Sequence, residues 1–334
     1  MSNPQARSAK SVTRRNNKSK ARDRNPKSNA LSSKPVIGMI GLGIMGSAMA
    51  ANTVGAGYTV IGYDVDVARV REHVRAGGTA ARSSADVRKR SDIVICSLPS
   101  AAALAQVAAE LAESDGADVV VETSTMPLAV KVAAQQRLTE AGVTLLDCPL
   151  SGTGSQAKVR DIVVYVSGAE SAYREAAPVM DAFARAHYYV GAFGAGSKMK
   201  FVANLLVAIH NVAAAEGLVL AMKAGLDPAL TLKVIADGAG SSRMLQVRGP
   251  MMVSGDYSSA TMKLDVWQKD MNAIADFAKD VGCPTPLFAT TAPIYLAALA
   301  AGRGAEDTGA VCAVLEKMAS CNRPSASPRR RGNP

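Results

Sequence analysis

The stretch Val36-Ile37-Gly38-Met39-Ile40-Gly41-Leu42-Gly43-Ile44-Met45-Gly46 decides the fold of this chain. Its first residues, up to Ile40, form a short apolar run of the kind that occupies a buried strand in a parallel sheet. A G-x-G-x-x-G segment follows at once, and residues 47–52 have the composition of a helix start. In such a turn Gly41 permits the sharp bend, Gly43 lets a pyrophosphate approach the backbone, and Gly46 lets helix and strand pack closely. The helix N-terminus then presents unpaired N–H groups to the phosphates, so the stretch predicts a dinucleotide site.

The second predicted strand, residues 58–64, ends on Asp64, which lies 18 residues after Gly46. In dinucleotide sites an acidic residue about 20 residues beyond the glycines accepts hydrogen bonds from the adenosine ribose. A carboxylate at that point would repel the 2′-phosphate of NADP. The sequence therefore favours NAD over NADP as the cofactor.

An alternation of apolar strands and helices continues as far as Gly196 and then stops. Strands are predicted at 92–99, 117–122, 143–147 and 162–168, and helices at 66–75, 101–111, 128–141 and 171–185. Beyond Gly196 every segment has the pattern of a helix, at 197–223, 228–236, 243–252, 262–281, 286–300 and 308–319. We therefore predict an α/β fold. A Rossmann-type parallel-sheet domain at residues 35–195 is followed by an all-helical domain at residues 196–320, which is expected to bind substrate and form an oligomer.

The carboxyl ends of parallel strands line a single crevice, so the residues that follow the predicted strands should meet there. We expect Leu98-Pro99, Ser124-Thr125 and the segment from Cys148 to Gly152 to reach it.

The predicted helix at 197–223 is apolar on almost all sides, which is typical of a helix in a protein interior. Lys200, Asn204 and Asn211 interrupt the apolar surface, and their spacing of four and seven places all three on one face. A buried lysine is costly unless it is paired or lies in a wet cleft. Alternatively, Lys200 extends from the first turn into solvent. This stretch alone leaves both interpretations open.

The net charge of +10 is concentrated at the two ends of the chain of 334 residues. Residues 1–34 carry +9 and residues 323–334 carry +4, which leaves the remainder mildly acidic at −3. Both tails, 1–34 and 321–334, have almost no large apolar residues and are predicted to be disordered. The N-terminal tail could be a nucleic-acid-binding arm, an organelle transit peptide or a solvated extension. Without aromatic residues or a folded module we favour the last, so nucleic acid is a disfavoured partner.

Cysteine and histidine residues do not form a recognisable site in this sequence. The five cysteines are scattered without a C-x-x-C pair, and the three histidines lie far apart. We therefore predict reduced thiols, no metal site and a cytoplasmic location. No secretory segment precedes residue 36, and each long apolar run has polar interruptions, so no membrane association is expected.

Four motifs together resemble those of the β-hydroxyacid dehydrogenases, a family that includes 3-hydroxyisobutyrate dehydrogenase and tartronate semialdehyde reductase. The first is the glycine-rich stretch with Met49-Ala50-Ala51-Asn52, and the second is Asp147-Cys148-Pro149-Leu150-Ser151-Gly152. The third is Gly194-x-Gly196 with Lys200 and Asn204, and the fourth is Lys263-Leu264-Asp265 followed by Lys269-Asp270. The resemblance covers residues 35–320, with the motifs in the family's order.

The resemblance implies an oxidoreductase that transfers a hydride between NAD and a small anionic 3-hydroxy acid. Lys200 would be the general acid/base, with a pKa lowered by burial, and Asn204 would orient the substrate hydroxyl or hold Lys200. The substrate would be bound by Ser151, Gly152, Thr153, Lys269 and Asp270. The cofactor would be bound by Gly41, Leu42, Gly43, Ile44, Met45, Gly46, Asp64, Leu98, Pro99, Ser124, Thr125 and Lys269.

The chain departs from the family pattern at positions that border the expected substrate cleft. Ala203 stands where the family often has a second asparagine, and Met262 stands where an aromatic residue is often found. Residues 154–161 are more polar and basic than usual, and Ser155, Gln156 and Arg160 suggest a more polar or more anionic acid than hydroxyisobutyrate.

Two other functions remain as alternatives. An imine reductase would share the fold but usually lacks a lysine at the catalytic position. A non-enzymatic dinucleotide-binding protein would use the basic tails to bind nucleic acid. In each case the apolar helical domain predicts a homodimer or homotetramer.

Overall fold

A six-stranded parallel sheet forms the first part of the computed structural model, which describes residues 34–321 and Arg323. The predictions for the remaining tail residues lie outside the described part. The strands are β1 (Ile37–Ile40), β2 (Val60–Tyr63), β3 (Thr79–Ala80), β4 (Ile93–Cys96), β5 (Val119–Glu122) and β6 (Thr144–Asp147). The helices between them are α1 (Ile44–Gly55), α2 (Val67–Arg75), α3 (Ser84–Arg90), α4 (Ala101–Ala112) and α5 (Leu128–Glu140). The strand order β3-β2-β1-β4-β5-β6 confirms the predicted Rossmann-type sheet.

The central strands are buried on both faces, as their largely apolar sequences predict, with Glu122 at the end of β5 as the charged exception. Every residue of β1, β4 and β5 is buried. Local polar residues set the starts of the flanking helices. The side chains of Asp66, Ser83 and Ser100 accept hydrogen bonds from backbone N–H groups in the first turns of α2, α3 and α4.

A second, three-stranded sheet follows, and here the structure differs from the predicted continuation of the parallel sheet. Its elements are β7 (Leu150–Ser151), α6 (Gly154–Lys158), β8 (Val163–Val166), α7 (Glu170–Phe183) and β9 (Ala186–Tyr189). The predicted strand at 162–168 is present as β8, but it pairs antiparallel with β7 and parallel with β9. In the second sheet β7 covers only two residues before the chain turns into α6, so sequence periodicity could not indicate this pairing.

After the second sheet the described chain is helical, as predicted. The elements are α8 (Ala195–Lys223), α9 (Pro228–Ala236), α10 (Arg243–Ser254), α11 (Leu264–Asp280), α12 (Pro286–Ala300), a 3₁₀ turn (Thr308–Ala310) and α13 (Val311–Met318). Buried residues of α8 such as Ala208, Val212 and Leu218 belong to the core that the other helices share. Within the described range, α8 alone is long and apolar enough to cross a membrane by length and composition, and a core helix passes the same test.

The far end of the helical part includes one residue that the sequence assigns to a tail. The Arg323 guanidinium lies 2.8 Å from the Glu316 carboxylate and donates a hydrogen bond to the Tyr257 hydroxyl at 2.8 Å. These contacts place Arg323 on the helical part, so the predicted start of the tail at residue 321 is too early for this side chain. The five cysteines are all free thiols.

Candidate active site

Three adjoining cavities run along the carboxyl edge of the large sheet and on to the helical part. We call them the glycine-loop cavity, of about 500 Å³, the junction cavity, of about 330 Å³, and the arginine cavity, of about 540 Å³. Ile44, Met45 and Leu98 line both of the first two cavities. Gly152 and Lys200 line both of the last two. The three cavities therefore form one continuous groove.

The glycine-rich turn between β1 and α1 shapes the glycine-loop cavity. Gly41 has a φ of +88°, a left-handed conformation that favours glycine. A Cβ atom on Gly46 would collide with the carbonyl oxygen of Gly41, so helix and turn pack without room for a side chain. A Cβ atom on Gly43 would meet nothing nearer than Arg69 Nη1 at 3.8 Å. The wall at Gly43 is therefore open, which suits the approach of a dinucleotide pyrophosphate.

Asp64 follows β2 and lines the glycine-loop cavity with its carboxylate largely engaged by the protein. Its Oδ2 accepts a hydrogen bond from the Leu42 N–H at 2.7 Å, and its Oδ1 accepts one from the Asp66 N–H at 2.8 Å. Arg69 approaches the same carboxylate, with Nη1 3.4 Å from Oδ2. Asp64 therefore holds the glycine-rich turn in place and also places a carboxylate in the wall of the glycine-loop cavity.

The junction cavity lies where the ends of β4 and β5 meet α11. The Ser124 hydroxyl accepts a hydrogen bond from the Leu98 N–H at 2.8 Å, which joins the two strand ends. The Lys269 ammonium donates to the carbonyl oxygen of Thr125 at 3.3 Å and so ties α11 to this edge. Sequence reasoning placed Leu98, Ser124 and Thr125 in one crevice, and the structure brings all three to the junction cavity.

Lys200 is partly buried in the first turns of α8 and lines both the junction and the arginine cavities. Burial lowers its pKa to about 8; the Asp270 carboxylate opposes this shift and the Lys269 ammonium adds to it. Among the described residues no acceptor lies within hydrogen-bonding distance of its Nζ. The lysine is therefore half neutral near pH 8 and free to exchange a proton with a molecule in the groove.

Asn204 lies one turn after Lys200 and lines the arginine cavity, where the resemblance implies that it orients the substrate hydroxyl or holds Lys200. Its Nδ2 donates to Asp270 Oδ2 at 3.1 Å and does not hold Lys200. The Asp270 carboxylate is buried, which raises its pKa, whereas Lys269, Lys200 and the Asn204 amide act in the opposite direction. Asn204 therefore contacts the carboxylate whose charge acts on Lys200 through space.

The Ser151-Gly152-Thr153 turn lines the arginine cavity between β7 and α6. Gly152 has a φ of +135° and packs against Ile162. The Thr153 N–H is already bonded to Gln156 Oε1 at 3.0 Å, in a capping box at the start of α6. An anion at this turn would therefore use groups other than the Thr153 N–H.

A buried ion triad beneath the groove was missed from the sequence. The Lys131 ammonium lies 2.7 Å from both Glu122 Oε2 and Asp147 Oδ1, and all three side chains are inaccessible to solvent. Asp147 also accepts hydrogen bonds from the Ser197 N–H and hydroxyl, both at 2.8 Å, which anchors the start of α8. Glu122 accepts one from the Ser124 N–H at 2.9 Å. A sequence signal was available, because Lys131 shares an apolar helical stripe with Ala134 and Leu138.

The arginine cavity contains charged residues that the sequence did not single out. Arg185 follows α7 and Arg243 begins α10, and both pair with Asp161, at 2.9 Å and 3.2 Å. Arg248 lies deeper and is paired with the buried Asp307 at 2.9 Å. By contrast, the Arg160 guanidinium points to the Asp181 carbonyl oxygen at 2.5 Å, outside the three cavities. The basic character suggested for this cleft is present, but Arg185 and Arg243 supply it.

Most of the predicted site residues line the groove, with two exceptions. Leu42 is buried and contributes only its N–H to Asp64, and Gly46 is packed beneath the turn.

Within the described ranges, no group of three or more histidine, cysteine, aspartate or glutamate residues is arranged to hold a metal ion.

Two family models together match almost the whole of the described chain. Residues 36–191 match the NAD-binding domain of 6-phosphogluconate dehydrogenase. Residues 194–315 match a model described as the NAD-binding domain of NADP-dependent 3-hydroxyisobutyrate dehydrogenase.

Individual relatives agree with these models. L-threonate dehydrogenase of Cupriavidus necator is 34% identical over 287 residues, which cover 84% of this chain and 95% of the relative. 2-(Hydroxymethyl)glutarate dehydrogenase of Eubacterium barkeri is 31% identical over 287 residues, with the same coverage of 84% and 95%. Among solved structures, Mycobacterium tuberculosis 3-hydroxyisobutyrate dehydrogenase with L-serine superimposes with a TM-score of 0.77 at 29% identity. That match covers 84% of this chain and 99% of the solved chain.

Proposed function

Because the chain belongs to the β-hydroxyacid dehydrogenase family, we propose that it oxidises a small 3-hydroxy acid with NAD, and that Lys200 is the general base. The observation that carries this proposal is the position of Lys200 at the point where two cavities meet. One cavity adjoins the glycine-rich turn, and the other contains the Ser151-Gly152-Thr153 turn. A group that must contact the reacting carbon and its hydroxyl belongs at such a junction.

The chain supplies the proton chemistry of this reaction. Neutral Lys200 accepts the hydroxyl proton of the substrate on Nζ as the carbonyl forms, and in the reverse direction the ammonium returns it. NAD, when bound, would supply the acceptor for the hydride, which carries both electrons of the broken C–H bond. A pKa of about 8 keeps a useful fraction of Lys200 neutral near physiological pH, whereas an ordinary lysine would be almost fully protonated.

Substrate orientation is assigned to the residues around Lys200. The substrate carboxylate binds at the Ser151-Gly152-Thr153 turn, through the Ser151 hydroxyl and the Gly152 backbone. Lys269 connects α11 to the junction cavity through Thr125, so it acts at the side of the groove where the nicotinamide is expected. The relatives named for L-threonate and 2-(hydroxymethyl)glutarate support a hydroxy acid as the substrate class.

The preference for NAD rests on Asp64. Its carboxylate stands at the ribose end of the glycine-loop cavity and would repel a 2′-phosphate. Arg69 weakens that repulsion, because its positively charged guanidinium lies 3.4 Å from the same carboxylate. Comparing kcat/KM for NAD and NADP tests this assignment directly; a higher value with NADP would overturn it.

The proposed reaction is tested by an NAD-coupled screen of 3-hydroxy acids with a matched pair of variants. Lys200→Ala should lower kcat by at least a factor of about 100, the lower end for loss of a general base. Its Kd for NADH should change little. Lys198→Ala, on the exposed side of the same helix, is the control and should retain wild-type turnover. Substantial turnover by Lys200→Ala, or NADPH-linked reduction of a cyclic imine in place of acid oxidation, would refute the proposal.

We also propose that the enzyme is a cytoplasmic homodimer or homotetramer that associates through its helical part. Met199, Val202 and Leu206 are spaced three and four residues apart on α8, and each is 42–50% exposed. An apolar stripe of this kind on a core helix is expected to be covered by another subunit. Sedimentation as a single 34.5 kDa species would refute the assembly.

A further inference from the structure

We infer that the arginine cavity contains a second anion subsite, formed by Arg185 and Arg243, and that the substrate is a hydroxy acid with a second anionic group. This inference rests on the proposed function and specifies its substrate class. The second group lies at the end of the molecule remote from the carboxylate bound at Ser151-Gly152-Thr153. A carboxylate and a phosphate or phosphonate share the required chemistry.

The charge balance of the cavity is the first observation. Its wall contains four cationic side chains, including Lys200, and a single carboxylate, that of Asp161. Arg248 is neutralised by the buried Asp307, whose pKa is lowered despite its burial because the guanidinium, the Gly309 N–H and the Thr261 hydroxyl stabilise the carboxylate. Arg185 and Arg243 share the single carboxylate of Asp161. This end of the cavity therefore has a net positive charge even if Lys200 is counted as neutral. A monocarboxylic substrate held at the turn would leave this excess unpaired.

The second observation is the free hydrogen-bonding capacity of the two arginines. Arg185 uses Nε to contact Asp161 Oδ1, and Arg243 uses one Nη2 to contact Asp161 Oδ2. A guanidinium has five N–H donors, so both Nη groups of Arg185 and the Nε and Nη1 of Arg243 are left over. In the part of the chain that the structure describes, no other acceptor is bonded to them. Planar, paired donors of this kind suit a carboxylate or phosphate better than a neutral group.

The third observation is the connection between the two anion sites. Gln156 accepts the Thr153 N–H on Oε1 at 3.0 Å and donates from Nε2 to Asp161 Oδ2 at 3.0 Å. One side chain therefore fixes the distance between the turn that takes the first carboxylate and the carboxylate that orients the arginines. Because Arg185 belongs to the sheet part and Arg243 to the helical part, a bound anion would be held by both parts of the groove.

Three acids that differ only in the remote group test the inference. 3-Hydroxyisobutyrate has a methyl group, 2-(hydroxymethyl)pentanoate has an uncharged propyl chain, and 2-(hydroxymethyl)glutarate has a carboxylate on a chain of similar length. We expect kcat/KM with NAD to be at least about tenfold higher for the dicarboxylate than for the propyl acid. A factor of about ten is the gain expected from one additional charged hydrogen bond. Raising NaCl from 50 to 500 mM should raise KM more for the dicarboxylate than for the two monocarboxylates, since both arginine side chains are more than 60% exposed.

Variants assign the preference to the two arginines. Arg185→Gln and Arg243→Gln should each lower the ratio of kcat/KM for dicarboxylate over propyl acid by about tenfold, mainly through KM. Arg174→Gln is the matched control, because Arg174 is an exposed arginine paired with Glu170 outside the cavity. Its ratio should equal that of the wild type. Replacing the remote carboxylate by a phosphonate distinguishes the two anion types, and a preference for either supports the subsite.

The outcomes separate the subsite from the proposed reaction. If the enzyme oxidises the methyl and propyl acids but shows no preference for the charged one, the subsite is wrong while the reaction stands. If the preference exists but survives both arginine substitutions, the assignment to Arg185 and Arg243 is overturned. If none of the acids is oxidised and a wider screen of 3-hydroxy acids also fails, the proposed function is refuted together with the subsite.

Discussion

Replacing Lys131 by methionine should strongly destabilise the protein, although the residue lies outside the groove. The substitution keeps a long apolar chain and removes only the ammonium group. Glu122 and Asp147 would then remain buried as two carboxylates without a cation, each still fixed by hydrogen bonds to the backbone or to Ser197. The structure offers them no route to solvent.

The size of the effect follows from opposing contributions. Two ion pairs at 2.7 Å, at an effective dielectric constant of about 20, are each worth about 6 kcal/mol of attraction. Burying three charges costs several kcal/mol for each ion, so the intact triad contributes little net stability. Removing the cation alone eliminates the attraction and leaves the cost for the carboxylates, which gives a loss of about 3–5 kcal/mol. For a chain of this size that lowers the melting temperature by about 6–20 °C.

Urea unfolding followed by circular dichroism measures this loss, with Lys233→Met on α9 as the surface control. Burial tends to lower the pKa of Lys131, but its two carboxylates outweigh that effect and raise it above the usual 10.5. A raised pKa means that the contribution of the ammonium is complete at neutral pH and disappears only as the pH rises above about 10. The triple variant Lys131→Met, Glu122→Gln, Asp147→Asn should recover much of the stability. A loss below about 1 kcal/mol for Lys131→Met at pH 7 would refute the reasoning.

Three further predictions concern the groove. Asp270→Asn removes the carboxylate that raises the pKa of Lys200. The midpoint of the rise of kcat/KM for oxidation with pH, near 8 in the wild type, should therefore shift to lower pH. An unchanged pH profile would show that the two groups are not coupled. Gly43→Ala should fold with a stability within about 0.5 kcal/mol of the wild type, because φ at this residue is −66° and the space around it is open. The same variant should raise the Kd for NAD about tenfold or more. Gly46→Ala should instead lower the melting temperature, because its Cβ would collide with the Gly41 carbonyl oxygen. Asp64→Ser should raise kcat/KM with NADP relative to NAD by about tenfold, measured by initial rates, and no change in the ratio would remove Asp64 from cofactor selection.

The sequence predicts the parts of the fold in which burial imposes a regular pattern. Strands β1 and β4 are continuous apolar runs, β5 is apolar up to Glu122, and α8 is an apolar helix whose predicted start lies two residues from Ala195. Strands β3 and β9 and helix α3 were not predicted. The residues of β3 are exposed, β9 is only partly buried, and α3 has a mostly polar sequence, so none shows the periodicity of a one-sided buried element.

The site was predictable where its residues follow a motif, and less so where tertiary contacts decide. Lys200, which the motif singles out, lines the groove, but the contact between Asn204 and Asp270 joins residues 66 positions apart. Arg185 and Arg243 come together only because Asp161 lies between a segment of the sheet part and the start of α10. No spacing along the chain encodes that encounter.

Two lysines on apolar helical stripes show how the partners of a side chain, rather than its position in the pattern, determine its chemistry. Lys131 touches two carboxylates, and its pKa rises despite complete burial, so it remains an ammonium throughout the range in which the enzyme would work. Lys200 has one carboxylate nearby, that of Asp270, which accepts a hydrogen bond from Asn204, and burial lowers the pKa of Lys200 to about 8. If Asp270 were free to close on Lys200, the base would be converted into a second structural ion pair. The hydrogen bond from Asn204 to Asp270 therefore matters to the proposed reaction, because it engages one oxygen of the carboxylate that raises the pKa of the lysine.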